Sequence, residues 1–376
     1  VWANQHLFLK DWVLGCPPDF YSAAGQTWGM PVVDPEKIFN KDGSVNQDGV
    51  GTKFLCQLYS KMFQDFHGGL RIDHTIGLID PWVYAAGANT TSKGSRLFSS
   101  PENPKLTKYS RIDQNAINKN LGAEHDNRVK EEALKNPMVL KRYAGLIMDV
   151  IIPEAEKAGI PKEGLIFEDL GTLTNPVVSV FKKYKLAGMR VSQYTDPNSI
   201  KCLQRPKTCP PQSWVMAGTA DAAPVWFWAK NMSLRDKWQH AKRLVQDWFP
   251  LNPTAKQNIV KNLYRNTPQF VEALFTELFL SPAKNVLIFF GDFLGWEKKY
   301  NQPGLFDDKQ NWRLRIPQQF EKAYFDAVKA GKALNLPQIL SNALQVKSLQ
   351  SRAKRLTAYD EKLVKNLNYY AEILNS

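Results

Sequence analysis

Three short apolar runs in this chain each end in an acidic side chain, and this recurring pattern limits the folds that the chain can adopt. The runs lie within residues 69–74, 164–171 and 214–221, and their acids are Asp73, Glu168 and Asp221. Apolar runs of this length, bounded by glycine, predict short β-strands. Acids at the carboxyl ends of successive strands are typical of (β/α)8 barrel enzymes, whose active sites lie at that face. The sequence therefore predicts an α/β chain built as a (β/α)8 TIM barrel with insertions.

The same acids also have a simpler interpretation. An acid that follows a strand often caps the next helix or complements its dipole, and for any single acid that interpretation is the more common one. All three acids occur at the same place in the pattern, and Arg71 lies two residues before Asp73, on the same face of its strand. Paired carboxylates with a third acid are what cleavage of a glycosidic bond requires. Spacing alone still predicts only a barrel enzyme that uses acid/base chemistry.

Composition argues against several classes of protein. The 376 residues are 43% hydrophobic, and no apolar run is long enough to span a bilayer. The basic residues behind the formal net charge of +13 are spread along the chain, which favours a solvated basic surface over nucleic-acid or membrane binding. The four cysteines lack metal-type spacing, and no basic-then-apolar leader follows Val1. We therefore expect reduced thiols and a cytoplasmic protein.

Periodicity predicts strands in alternation with helices, and three segments stand outside that alternation. Strands are expected at 69–73, 164–168, 188–193, 214–218 and 285–290, and a helix is expected at 51–66. Outside this alternation, a long irregular segment is expected at 1–35, an insertion at 85–130 and a basic helical tail at 317–376. Five strands are fewer than a barrel needs. We therefore expect residues 1–316 to form the C-terminal part of a barrel that lacks its first strands in this chain.

Six motifs follow one another in a specific order. They are Pro17-Pro18-Asp19-Phe20-Tyr21-Ser22 with Gln26 and Trp28, Arg71-Ile72-Asp73-His74, Glu168-Asp169-Leu170-Gly171, Gly188-Met189-Arg190-Val191 with Gln193, Gly218-Thr219-Ala220-Asp221, and Asn301-Gln302-Pro303-Gly304 with Asn311-Trp312-Arg313. With these motifs the chain resembles the 4-alpha-glucanotransferases of the amylomaltase and disproportionating-enzyme type, glycoside hydrolase family 77. The resemblance implies the same barrel fold with insertions.

The resemblance also implies a role for each acid. Asp73 would be the nucleophile, Glu168 the general acid/base, and Asp221 the carboxylate that holds the sugar hydroxyls at the cleavage subsite. The fixed charge of Arg71 favours the ionised form of Asp73, and burial beside other carboxylates favours the protonated form of Glu168. Further substrate contacts are implied for Arg71, His74, Phe20, Tyr21, Gln26, Trp28, Gln193, Asp196, Asn301 and Pro303.

A double displacement follows from these roles, with α-1,4-glucans and maltooligosaccharides as substrates. Aspartate attack forms a glucosyl-enzyme, which the 4-hydroxyl of a second glucan then resolves with retention of configuration. The aromatic loop around Phe20, Tyr21 and Trp28 is expected to cover the cleft and exclude water. Neither a metal nor an organic cofactor is needed for this chemistry, and no nucleic-acid or membrane partner is expected.

One departure from the family motif leaves other functions open. Position 220 is Ala where the family has a histidine that would hydrogen-bond the sugar, and such a contact is typically worth about 10²–10³ in rate. A catalytically weakened glucan-binding homologue and an α-glucan hydrolase are therefore the alternatives. The retained Arg71, Asp73, Glu168 and Asp221 argue against the weakened homologue. Residues 85–130 and those beyond 317 match the family poorly.

Overall fold

The computed structural model describes residues 2–19, 22–89, 93–121, 127–171, 173–302, 311–351 and 355–376. Within it the chain divides into two compact units, residues 1–188 and 189–376. Both units mix helices with short strands.

An antiparallel sheet of four strands forms part of the first unit. Its strands are β1 (Phe8–Cys16), β2 (Gln26–Val33), β4 (Trp82–Ala85) and β5 (Ser95–Arg96), in the order β2-β1-β4-β5. Strand β1 pairs with both β2 and β4, and the Tyr84 hydroxyl donates to the Cys16 carbonyl over 3.1 Å. Gly15 has no room for a side chain, because a Cβ there would lie 2.7 Å from the Tyr84 ring. The prediction that residues 1–35 are irregular was wrong, since they contain β1 and β2.

A second strand pairing in this unit is parallel and joins β3 (Arg71–Ile72) to β6 (Ile166–Phe167). Phe167 is also bridged in parallel to Gly188. Both strands lie inside the predicted segments and are shorter than expected, and the side chain of Phe167 is fully buried.

Helices surround these strands in the first unit. They are α1 (Val50–Asp65), α2 (Ile76–Ile79), α3 (Glu131–Leu134), α4 (Pro137–Leu146), a π-helical turn (Ile147–Ile151), α5 (Ile152–Lys157) and α6 (Asn175–Tyr184). Short 3-10 turns lie at Trp2–Leu7, Pro35–Lys37, Thr107–Tyr109, Gln114–Ala116 and Lys162–Gly164. The helix predicted at 51–66 is confirmed as α1. In α4, Asn136 caps the first turn by accepting from the Met138 amide. Pro137 suits the first helical position, because the N–H that proline lacks would have no partner within the helix there.

Part of the segment expected as an insertion contributes to the core of the first unit. Leu97, Phe98 and Leu106 are buried in one apolar cluster with Ile79 and Val83. Residues 85–130 therefore include a buried stretch despite their polar composition. That they form an insertion stays a prediction.

Three parallel strands lie in the second unit. They are β7 (Met189–Val191), β8 (Trp214–Met216) and β9 (Asn285–Val286), in that order across the sheet. All three fall within predicted strands. The prediction for 285–290 was too long, because the chain turns into a helix at Phe290.

The rest of the second unit is helical. Its helices are α7 (Val225–Asn231), α8 (Leu234–Trp248), α9 (Pro253–Arg265), α10 (Thr267–Leu280), α11 (Phe290–Phe293), α12 (Phe320–Lys329), α13 (Leu336–Gln350) and α14 (Ala358–Asn375), with 3-10 turns at Ser192–Tyr194 and Pro206–Thr208. Helix α10 is the most buried, and Phe270, Leu274 and Phe275 on it are inaccessible to solvent. The helical character expected after residue 317 is confirmed, and a domain boundary at 316 stays a prediction.

Two negative findings apply to the described residues. No helix among them is apolar over a length that would cross a bilayer. Cys202 and Cys209 are free thiols.

Candidate active site

The pairing of β3 with β6 brings two of the predicted catalytic acids to one edge of the first unit. Ile72 lies opposite Phe167 in register, and the Glu168 amide donates to the Ile72 carbonyl over 2.9 Å. Asp73 and Glu168 are thus the residues that follow the last paired positions of two parallel strands. Because parallel strands end at the same edge, their next side chains can share a site.

Glu168 is a mostly buried carboxyl group with backbone donors on both oxygens. Its Oε2 accepts from the His74 amide over 3.0 Å, and its Oε1 accepts from the Leu170 amide. Burial raises the pKa of Glu168 to about 7, and the negative charge of Asp73 adds to the shift. These effects outweigh the opposing influence of the Leu170 amide and of Arg71. A carboxyl group with this pKa can donate a proton at neutral pH and take it back.

Asp73 differs from Glu168 in both exposure and partner. The Arg71 guanidinium lies 2.6 Å from the Asp73 carboxylate, and the Asp73 side chain is 71% exposed. The neighbouring acids are therefore in contrasting environments, one solvated and ion-paired, the other buried. This contrast is the arrangement that separates a carboxylate nucleophile from a proton donor.

His74 connects these acids to the antiparallel sheet. Its φ is +47°, in the left-handed region that non-glycine residues rarely adopt. The ring lies edge-on to Trp28, with centroids 4.7 Å apart, and Gly77 leaves space for it. Burial lowers the pKa of His74 to about 4, assisted by Arg96, so the ring is neutral at pH 7. Its buried Nε2 has no hydrogen-bond partner among the described residues.

The aromatic segment predicted as a lid is only partly described. Gln26 and Trp28 lie on β2, where the Trp28 indole donates to the Gln26 side-chain oxygen over 3.3 Å. Phe20 and Tyr21 lie outside the described residues. The structure therefore brings Arg71, Asp73, His74, Glu168, Gln26 and Trp28 together in the first unit.

A second group of predicted residues lies in the second unit, on the loop that follows β8. This loop, residues 218–224, is called the Asp221 loop here. The Asn301 side chain donates to the Asp221 carboxylate over 2.6 Å, and the Asn301 amide donates to the Ala220 carbonyl over 3.1 Å. Asp221 and Asn301 therefore belong to one local site.

The other predicted residues of this unit have contacts of their own. The Gln193 side chain donates to the Ala223 carbonyl over 2.7 Å, which joins it to the Asp221 loop. Asp196 instead accepts from the Asn198 amide within its own turn, and no described contact joins it to Asp221. Pro303 lies outside the described residues. Substrate contacts by these residues stay predictions.

Two buried residues near these sites were not singled out from the sequence. Arg96 is 4% exposed, donates to the Asp80 carbonyl over 2.8 Å and lies over the Trp82 ring. Asp292 is 1% exposed and contacts the end of the Asp221 loop. A signal for Asp292 did exist, because it follows the fifth apolar run as the other acids follow theirs.

The chemistry of the site rests on carboxylates. Among the described residues, no group of three or more His, Cys, Asp or Glu side chains is arranged to hold a metal ion. Acid/base and nucleophilic roles are what the geometry around Asp73 and Glu168 can supply.

Comparison with known proteins identifies the family. A family model described as 4-alpha-glucanotransferase, glycoside hydrolase family 77, matches residues 1–320. The chain belongs to this family. The family resemblance stated from the sequence is thus confirmed.

Relatives within family 77 are distant and longer than this chain. A 4-alpha-glucanotransferase of Streptococcus pneumoniae serotype 4 is 26% identical over 237 residues, which are 61% of this chain and 35% of the relative. A chloroplastic/amyloplastic 4-alpha-glucanotransferase of Oryza sativa subsp. japonica is 23% identical over 345 residues, 89% of this chain and 45% of the relative. The chain thus spans less than half the length of these two family members.

Solved structures support the fold. An amylomaltase from Corynebacterium glutamicum aligns over 97% of this chain and 43% of its own, with a TM-score of 0.53 and 17% identity. An amylomaltase from Streptococcus agalactiae, solved in complex with acarbose, aligns over 88% of this chain and 54% of its own, with a TM-score of 0.52 and 17% identity. At this identity the similarity concerns the fold alone.

Proposed function

We propose that the protein containing this chain is a 4-alpha-glucanotransferase that moves α-1,4-glucan segments between maltodextrins. The observation that carries the proposal is the pair of acids after β3 and β6, in which Asp73 is solvated and paired with Arg71 while burial raises the pKa of Glu168 to about 7. Membership of family 77 supports the substrate class. The fold of the amylomaltases supports a (β/α)8 barrel to which these parallel strands contribute.

The first step we propose is cleavage of the donor glucan. A carboxylate oxygen of Asp73 bonds to the anomeric carbon, and the glycosidic C–O bond breaks. Glu168 gives its proton to the departing 4-oxygen, so the shortened glucan leaves with a free hydroxyl. The amides of His74 and Leu170, which already contact Glu168, stabilise the carboxylate that remains.

The second step is transfer to an acceptor glucan. The ionised Glu168 takes the proton of the acceptor 4-hydroxyl, whose oxygen bonds to the anomeric carbon and releases Asp73. Two inversions give net retention of the α-configuration. Asp221, oriented by Asn301, holds the hydroxyls of the sugar at the cleavage subsite. The neutral His74 ring packs edge-on against Trp28, and we expect this pair of rings to help exclude water when the acceptor binds.

Product analysis tests the proposal directly. The protein, at its natural length, is incubated with maltotriose, and the products are resolved by chain length. We expect glucose together with a ladder of longer maltodextrins. Asp73→Asn should abolish the ladder, and Asp48→Asn, the same change at a carboxylate 95% exposed on the surface, should not.

Other outcomes would identify the rival functions. Short products without elongation would show an α-glucan hydrolase. Binding of maltodextrins without any product would show a catalytically weakened homologue, the alternative suggested by Ala220 in place of the family's histidine. A cytoplasmic location accompanies the proposal and is checked by cell fractionation.

A further inference from the structure

The Asp221 loop is fixed in its middle and at its far end by side chains from elsewhere in the second unit. At its far end the Val225 amide donates to Asp292 Oδ1 over 2.7 Å, and the Trp226 indole donates to the Asp292 carbonyl over 2.9 Å. Gln193 holds the Ala223 carbonyl, and Asn301 holds Asp221 itself. Three separate segments of the chain therefore set the conformation of the loop that carries the third acid.

The orientation of the Gln193 amide is set by its partner. Its Nε2 is 2.7 Å from the Ala223 carbonyl oxygen, so a flipped amide would place two acceptor oxygens against each other. The Gln193 Oε1 must then point the other way, toward Gly218. It is buried and has no hydrogen-bond donor among the described residues.

Asp292 has a second buried acceptor oxygen, which also lies near Gly218. Its Oδ1 is used by Val225, and its Oδ2 has no partner within the part of the chain that the structure describes. A Cβ added at Gly218 would lie 2.6 Å from Gln193 Oε1 and 3.2 Å from Asp292 Oδ2. Both oxygens thus border the small space beside Gly218. Two buried oxygen acceptors without a hydrogen between them are strongly unfavourable.

We propose that Asp292 is a neutral carboxylic acid whose Oδ2 proton is directed to Gln193 Oε1, and that this pair is a positioning device for Asp221. One proton resolves both unpartnered oxygens: Asp292 then donates to Gln193, and Gln193 donates to Ala223. Asp292 also receives the Val225 amide on its other oxygen. Val225, Asp292, Gln193 and Ala223 are then joined by successive hydrogen bonds, which hold the far end of the Asp221 loop.

The electrostatic surroundings agree with a neutral acid. Burial raises the pKa of Asp292 to about 7, opposed only by the Val225 amide, and no charged side chain contributes to the shift. An ionised Asp292 would place its charge at the same small space that the Gln193 side-chain oxygen borders. The part played by Asp292 in catalysis rests on the proposed transferase function, whereas its protonation does not.

The test uses a conservative and a disruptive substitution at position 292. Asp292→Asn keeps an acceptor for Val225 and supplies an N–H for Gln193, so we expect transfer activity within about threefold of the parent. Asp292→Ala removes both bonds, and we expect kcat/KM to fall about 10²-fold, as for a displaced catalytic group. Asp326→Ala, at an exposed carboxylate of α12, is the matched control and should leave activity unchanged.

A spectroscopic measurement keeps the proposal falsifiable if Asp292→Ala does not fold. Infrared difference spectra between Glu168→Gln and the double variant Glu168→Gln/Asp292→Asn, recorded at about pH 6, below the pKa of Asp292, should show loss of one protonated-carboxyl band. An unchanged band, or an Asp292→Asn enzyme as impaired as Asp292→Ala, would overturn the proposal. A parent without transferase activity that still shows the band would overturn the proposed function and leave the neutral Asp292 in place.

Discussion

Each unit of the molecule contains an arginine beside a glutamate or aspartate, and the two groups are built in opposite ways. In the first unit, Arg71 pairs with a largely exposed Asp73. The neighbouring Glu168 is mostly buried, with two backbone donors and, among the described residues, no ion-pair partner. In the second unit, Arg243 and Glu277 form an ion pair in which both side chains are completely buried. The comparison separates carboxylates placed for chemistry from a carboxylate that stabilises the fold.

Every acceptor of Glu277 is occupied. It takes two hydrogen bonds from Arg243, one from the Ser192 hydroxyl over 3.0 Å and one from the Trp248 indole over 3.3 Å. Burial by itself would lower the pKa of Arg243, but the charges of Glu277 and Asp247 raise it above its usual value. This network joins α8 and α10 to the end of β7.

Glu168, by contrast, is left without enough donors to stay ionised. The energetic cost of burying its charge is only partly offset, so the pKa of Glu168 rises to about 7 and the group exchanges its proton near neutral pH. Glu277, whose oxygens all accept hydrogen bonds, is thus structural, whereas Glu168 can exchange its proton with a substrate. The difference can be tested by making the same substitution in both places.

The largest expected effect is on activity. Glu168→Gln is nearly isosteric with the protonated acid, so the fold should be retained, but the proton donor is lost. We expect kcat to fall by about 10²–10⁴-fold, measured as the initial rate of glucose release from maltotriose. Glu163→Gln, at an exposed carboxylate five residues earlier, is the matched control. A large fall in melting temperature for Glu168→Gln would place Glu168 with the structural carboxylates.

At Glu277 the same change should act on stability: we expect Glu277→Gln to lower the free energy of unfolding by about as much as Glu168→Gln raises the activation free energy. Glu277→Gln removes the nearest counter-charge of the buried Arg243 and leaves Asp247 at 3.6 Å, and breaking such a buried pair typically costs about 3–5 kcal/mol. Denaturant unfolding measures this loss. Glu272→Gln is the control on the same helix. Burial raises the pKa of Glu272, so a neutral amide should be tolerated there with little loss of stability. Equal losses at both positions would contradict the distinction drawn from the ion pair.

The pH dependence should separate the two carboxylates further. The folded-state pKa of Glu168 is raised from 4.5 to about 7, so the folded protein binds a proton that the unfolded chain has released. Its contribution to stability is therefore lost as pH rises from about 4.5 to about 7. Over the same approach to pH 7 and above, kcat/KM should fall with the loss of the acid. Glu168→Gln should remove the dependence of kcat/KM and weaken that of stability, because Asp292, whose pKa is also raised to about 7, remains. Parallel thermal melts and rate profiles will show both changes.

Much of this arrangement could be predicted from the sequence, and the reasons for the misses are physical. The strands that carry Asp73, Glu168 and Asp221 were located because an apolar run that ends in glycine and an acid is a local signal. Strand β1 was missed because its exposed Lys10 and Asp11 interrupt the alternation, and because its pairing with β4 joins residues about 70 apart in the chain. The different environments of the carboxylates were predictable only in part, since burial depends on distant segments.

The smallest effect is expected from Arg71→Gln, which tests the exposed side of the comparison. The Arg71 side chain is 38% exposed and Asp73 more so. Solvent screens such a pair, so the free energy of unfolding should change by no more than about 1 kcal/mol. Activity should fall by about fivefold, the equivalent of 1 kcal/mol in the barrier, because Asp73 loses its only described ion-pair partner. Arg243→Gln is the matched change in the buried pair, with an expected loss of about 3–5 kcal/mol. If Arg71→Gln were as destabilising as Arg243→Gln, the Arg71–Asp73 pair would be a structural element, and the solvated nucleophile proposed for this site would have to be abandoned.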